Sequence, residues 1–115
     1  MFRFEKLEVW QKAIEVTDKL YDLSDEIEEK KRYRWAEQLR SAAMSITNNI
    51  AEGSGSLSKY EFRQFLNFAH RSVSETANIV IICCRRKYID ENQKNVFLGE
   101  LEEVSRRIIG FSKSL

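Results

Sequence analysis

Proline is absent from this chain of 115 residues, and glycine occurs only four times. Either residue breaks or weakens a helix interior, so their scarcity points to long uninterrupted helices. The only two cysteines, Cys83 and Cys84, are adjacent. Neighbouring side chains on a helix diverge by about 100°, which suits neither a structural crosslink nor a metal site. Histidine occurs once, at His70, with Asn67 rather than a glutamate three residues before it. The Glu-x-x-His pairs that hold a di-metal centre in helical bundles are therefore missing, and no metal or other cofactor is expected. No apolar run approaches the roughly 20 residues that span a bilayer. The opening Met1-Phe2-Arg3-Phe4-Glu5-Lys6 lacks the apolar core of a secretory signal. The expectation is a reduced, cytoplasmic protein of one domain over residues 1–115, long enough to bury its own core.

Four helices are predicted from the spacing of apolar residues. The first carries Leu7, Trp10, Ile14, Thr17, Tyr21 and Ser24 in steps of three and four. The second carries Trp35, Leu39, Ala42, Ile46, Asn49 and Gly53. Between them, Glu28 to Tyr33 holds no glycine or proline, so the boundary is open and one continuous helix is compatible with the pattern. A third helix starts at Ser58, where Glu61 completes the pattern of a capping box and Leu57 and Phe62 are spaced as a hydrophobic staple. It shows two apolar stripes. One is Phe62, Leu66, Ala69, Val73, Thr76, Val80 and Cys83; the other is Phe65, Phe68, Ser72, Ile79 and Ile82. A helix apolar on most sides needs more partners than a surface helix, which argues for subunit contacts. Asp90 and Gln93 offer a second capping box, opening a helix with Phe97, Leu101, Val104, Ile108, Phe111 and Leu115 along one seam. Gly99 and Gly110 fall outside that seam, either allowing close helix approach or simply being tolerated. Short turns between four such helices predict an all-α, antiparallel up-and-down four-helix bundle.

The net charge of +1 conceals an uneven distribution: residues 1–29 carry −5, residues 30–71 carry +5, and the remainder +1. Lys30, Lys31, Arg32 and Arg34 form one basic cluster; Arg85, Arg86 and Lys87 form another. In an antiparallel bundle both lie at the same end, near Tyr33, Trp35 and Tyr88. Cations beside aromatic planes suit RNA, through phosphate neutralisation and base stacking. Glu28, Glu29, Asp90 and Glu91 flank the same turns and would dilute the field.

The central block Arg40-Ser41-Ala42-Ala43-x-Ser45-Ile46-x-x-Asn49-Ile50-Ala51-Glu52-Gly53 resembles the signature of the bacterial 23S rRNA intervening-sequence proteins, also called the four-helix bundle protein family. Phe4-x-x-Leu7-x-Val9-Trp10-Gln11-x-Ala13 resembles its opening, and Glu61-Phe62-x-x-Phe65-Leu66-x-x-Ala69-x-x-Ser72-x-x-Glu75 the helix that follows the signature. Thr47 replaces a usual proline and Arg71 a common glycine. The resemblance implies a cytoplasmic bundle that assembles into a ring-like homo-oligomer, a pentamer. It also implies kinship with the accessory protein of diversity-generating retroelements, a basic bundle associated with nucleic acid.

Asn49, Glu52 and Glu75 are the polar residues that the signature carries over. A buried carboxylate needs a partner, so they are expected to form a structural network that fixes helix register or seals a subunit contact. No nucleophile, base or metal ligand accompanies them, and no catalytic residue is assigned. Arg63 and His70 lie seven apart on one helical face, a spacing similar to that of HEPN-superfamily ribonucleases. There His70 would move protons and Arg63 would stabilise phosphate charge. The leading expectation is a non-enzymatic homo-oligomer that binds RNA or an RNA–protein complex through Lys30, Lys31, Arg32, Arg34, Arg85, Arg86 and Lys87. The alternative is a scaffold that recruits protein through an apolar face or through acidic Glu15, Asp18, Asp22, Asp25 and Glu26. The Arg63–His70 ribonuclease stands third.

Overall fold

A computed structural model describes all 115 residues. After a short 3-10 turn at Arg3–Lys6, the chain forms α1 (Glu8–Glu29), α2 (Tyr33–Ser54), α3 (Lys59–Arg85) and α4 (Glu91–Ser114), with no strand. At 1.5 Å per residue the helices are about 33–40 Å long, which sets the 44 Å long axis over a cross-section of 21 × 20 Å. Each helix packs on its sequence neighbours and α4 returns to α1. The α2–α3 seam is the most extensive and the α1–α4 seam the least. This is the antiparallel up-and-down bundle that the periodicity predicts.

The first stripe of α3 lies wholly in the core. So do Leu39, Ala42, Ile46 and Gly53 of α2, and Leu101, Val104 and Ile108 of α4. The second α3 stripe is divided: Ser72 and Ile79 are buried, whereas Phe68 remains 45% exposed. The predicted face of α1 is turned by about one residue. Val9, Ala13, Val16, Leu20, Leu23 and Ile27 fill the core beside Thr17 and Ser24, while Trp10, Ile14 and Tyr21 sit half-buried at its edge. Buried hydroxyls tolerate this because each finds a carbonyl: Ser24 donates to Leu20 at 2.8 Å and Thr17 to Ala43 at 3.4 Å.

Gly53 is required by packing. A Cβ there would lie 2.7 Å from Phe65 Cβ and 2.8 Å from Phe62 Cδ1, so only glycine lets α3 approach this close. Gly99 and Gly110 have open space where a Cβ would stand and are merely tolerated.

The caps differ from one another. At α4, Asp90 Oδ1 accepts from Gln93 N–H at 2.7 Å and Gln93 Oε1 accepts from Asp90 N–H at 2.9 Å, a full capping box. At α3 only half forms: Ser58 Oγ accepts from Glu61 N–H at 3.1 Å, with no return bond from the Glu61 carboxylate. The staple is absent too, because Leu57 projects fully into solvent.

The α1–α2 joint is a true break. Arg32 N–H reaches back to the Ile27 carbonyl and Lys31 N–H to that of Glu28, the paired bonds of a Schellman turn. Lys31 occupies its left-handed position at φ 64°. The α3–α4 turn repeats the device. Tyr88 N–H bonds the Cys83 carbonyl, Lys87 N–H bonds that of Cys84, and Lys87 stands at φ 65°. Glycine is the usual residue at such positions, because a side chain there costs about 1 kcal/mol or more.

Candidate nucleic-acid interface

The two lysine turns meet. Lys30 Nζ donates to the Tyr88 carbonyl at 2.5 Å, and the Arg32 guanidinium lies 5.0 Å from the centre of the Tyr88 ring. The two basic clusters therefore share one end of the bundle. None of Lys30, Lys31, Arg32, Arg34, Arg85, Arg86 and Lys87 forms an ion pair within the chain.

The acids around them are mostly engaged. Arg40 Nη2 holds Asp25 at 2.7 Å, and its Nη1 holds Glu28 at 3.0 Å and Glu37 at 3.6 Å. These bonds, that to Asp25 first, push the Arg40 guanidinium above its ordinary pKa. Glu91 pairs with Lys94 Nζ at 2.5 Å and accepts from Cys84 Sγ at 3.2 Å, so its carboxyl is held below the usual range. Asp90 is occupied by its capping bond. Of the four flanking acids, only Glu29 keeps its charge free of any partner.

The aromatic residues at this end differ in availability. Tyr33 is 58% exposed, but Trp35 is half-buried against the core and Tyr88 lies under Arg32. Cys83 and Cys84 lie beside this end as free cysteines. Burial pushes Cys83 up to about 11, and the bond to Glu91, with some burial, raises Cys84.

Within one chain, Asn49, Glu52 and Glu75 do not bond to one another. Asn49 Nδ2 donates to the Ser45 carbonyl at 2.8 Å and to Ser45 Oγ at 3.1 Å, and Ser45 Oγ meets Ser72 Oγ at 2.8 Å across α2 and α3. Glu52 and Glu75 are exposed and need no partner; solvent supplies it. Glu75 lines an open groove of about 600 Å³ with Ser45, Asn49, Phe68, Arg71 and Ser72, and Glu52 lies outside it. Ser45 and Ser72 were missed as the bridging pair. Their small size on facing helices, four residues before Asn49 and three before Glu75, was the available signal.

Arg63 and His70 do share a cavity of about 230 Å³ between α3 and α4, together with Leu66, Asn67, Ile108, Ile109, Ser112 and Lys113. Arg63 also donates to the Leu115 main-chain oxygen. No group of three or more His, Cys, Asp or Glu side chains converges as a metal site. No helix is long and apolar enough to cross a membrane.

Fold and surface together define a compact four-helix bundle with one unpaired basic end. Residues 5–110 match the family described as 23S rRNA-intervening sequence protein, and the chain belongs to that family. Comparison with curated proteins returns no match. Among solved structures, the chain is similar to a protein of unknown function from the S23 ribosomal protein family of Bacteroides thetaiotaomicron. The two are 24% identical over 91% of this chain and 98% of that one, with a TM-score of 0.86, which establishes the shared fold.

Proposed function

We propose that this protein is a cytoplasmic adaptor that binds structured RNA, or an RNA-containing complex, through the lysine-turn end of the bundle. It carries no chemistry of its own and works as a ring-forming homo-oligomer, a pentamer. The observation behind this reading is the set of seven cations without ion-pair partners on two touching turns and the helix ends beside them, with Asp25, Glu28 and Glu37 drawn aside by Arg40. Such a surface favours phosphate contacts. With Tyr33 as the one open aromatic, phosphate neutralisation outweighs base stacking there. Oligomerisation is supported by Met44 and Phe68, 46% and 45% exposed on α2 and α3, with Phe68 lining the open α2–α3 groove. A ring would repeat the basic end and raise avidity for a long polyanion.

The protein-scaffold alternative draws on the acids of α1. Glu15 lies 3.8 Å from Lys19, Asp25 pairs with Arg40 and Glu26 accepts from Gln93, which leaves Asp18 and Asp22 free on that face. The acidic face is weaker than its composition suggests.

Titration of labelled structured RNA at several salt concentrations tests the proposal, alongside a variant carrying Glu at Arg32, Arg34, Arg85 and Arg86. The expected result is salt-sensitive binding, with a log–log slope of magnitude up to about 6 per protomer, lost in the variant. Absence of binding at low salt would turn the reading toward a protein partner. Cleavage of the RNA that disappears in His70→Ala would replace it with the ribonuclease.

A further inference from the structure

The α3–α4 cavity differs chemically from four other grooves of the bundle. Of those four, two include Glu75, one Glu8, and one Asp90 with Glu91. No Asp or Glu side chain lines the cavity between Arg63 and Lys113. Arg63, Asn67 and His70 come from one face of α3, at spacings of four and three, and Ser112 and Lys113 from the last turn of α4. The side chains of Asn67, His70, Ser112 and Lys113 make no hydrogen bond or ion pair within the chain. Arg63 gives one bond to the Leu115 oxygen and keeps its remaining donors. Leu66 and Ile108 are buried beneath them as an apolar floor.

We infer that this cavity is an anion site for a phosphate monoester, separate from the basic bundle end. Two exposed cationic side chains, Arg63 and Lys113, would face a group that carries about −1.5 to −2 charges at neutral pH, and neutral donors remain for its other oxygens. A phosphodiester carries a single charge and a second substituent. The volume of about 230 Å³ is enough for a phosphate group, with the rest of its carrier left outside the groove. The ligand class is a terminal phosphate, either on the end of an RNA strand or on a mononucleotide.

The test follows the His70 ring resonances of the full chain during titration with methyl phosphate and, separately, dimethyl phosphate. Methyl phosphate is expected to give a saturable shift in the millimolar range. It should weaken about tenfold in Arg63→Gln and in Lys113→Gln, one lost charge-assisted contact each. Dimethyl phosphate should bind at least about tenfold more weakly. The variant with Glu at Arg32, Arg34, Arg85 and Arg86 should leave the shift unchanged, which separates this site from the RNA reading. A 5′-phosphorylated oligoribonucleotide set against its 5′-hydroxyl form, with a mononucleotide in parallel, then tells the two sources apart. No saturable shift, or a shift indifferent to both single variants, would overturn the site. Equal binding of the diester would overturn its assignment to monoesters.

Discussion

Where α1 begins and α4 finishes, Phe62 meets Phe111 edge-on with ring centres 5.4 Å apart, Phe4 leans on Trp10 at 5.0 Å, and Gly53 lets α3 close in. A guanidinium lies over a ring at both ends, Arg3 over Phe62 at 5.1 Å and Arg32 over Tyr88 at 5.0 Å, but at the far end, where the lysine turns lie, no aromatic pair forms. One end is held by shape. The other keeps lysines in left-handed backbone, where glycine would be cheaper, and leaves seven cations unpaired. Backbone strain retained at an exposed turn is a pointer to use rather than to stability.

That contrast is open to direct attack. The largest effect is expected from Phe62→Ala, which empties a fully buried site and should cost about 3–5 kcal/mol in chemical denaturation. Gly53→Ala should cost about 1–3 kcal/mol, because its methyl group meets Phe65 Cβ and forces α3 outward. At the basic end the sign reverses. Lys31→Gly and Lys87→Gly should each stabilise the fold by about 1 kcal/mol while weakening RNA binding. A loss of stability in either would mean that the left-handed turns are not strained. Arg40→Gln should lower RNA affinity by a few-fold, about 0.5–1 kcal/mol, by releasing Asp25, Glu28 and Glu37 beside the cations. The smallest effect concerns Cys84. Its bond to the Glu91 carboxylate favours the neutral thiol, so Glu91→Gln should move the pH midpoint of Cys84 alkylation downward.

Burial of Cys83 adds a pH dependence to stability. Its thiol is raised from 9.0 to about 11 in the folded chain, so the unfolded chain loses its proton first. The stability from keeping Cys83 neutral is present below pH 9 and declines as the pH rises toward 11. Melting temperatures across that window should fall more steeply in the wild type than in Cys83→Ala.

The fold was legible in the sequence wherever one apolar stripe stood alone. The run from Phe62 to Cys83 on α3 was read residue for residue. The face of α1 was misplaced because Trp10, Tyr21 and Ile14 looked like core residues, whereas the smaller Val9, Ala13 and Val16 fit the closer packing. The α1–α2 break was invisible because lysine, not glycine, holds the left-handed position. The meeting of the basic clusters followed from antiparallel topology alone. The role of Arg40 did not, since Asp25 and Glu28 lie 15 and 12 residues away and are brought to it only by packing of α1 on α2. The Ser45–Ser72 bridge has a sequence signal in two small residues on facing helices, but its pairing is set by the packing of α2 on α3.

If the proposed function holds, the position of the charge, not its amount, makes the RNA-binding surface. Two variants of equal net charge test it: Arg85→Glu with Arg86→Glu at the lysine turns, and Lys6→Glu with Lys59→Glu at the opposite end, all four exposed and without ion pairs. Their RNA affinities are compared at one low salt concentration. The first pair is expected to lose binding and the second to retain nearly all of it. Equal losses would contradict the proposed function and reduce the basic end to ordinary solvated surface.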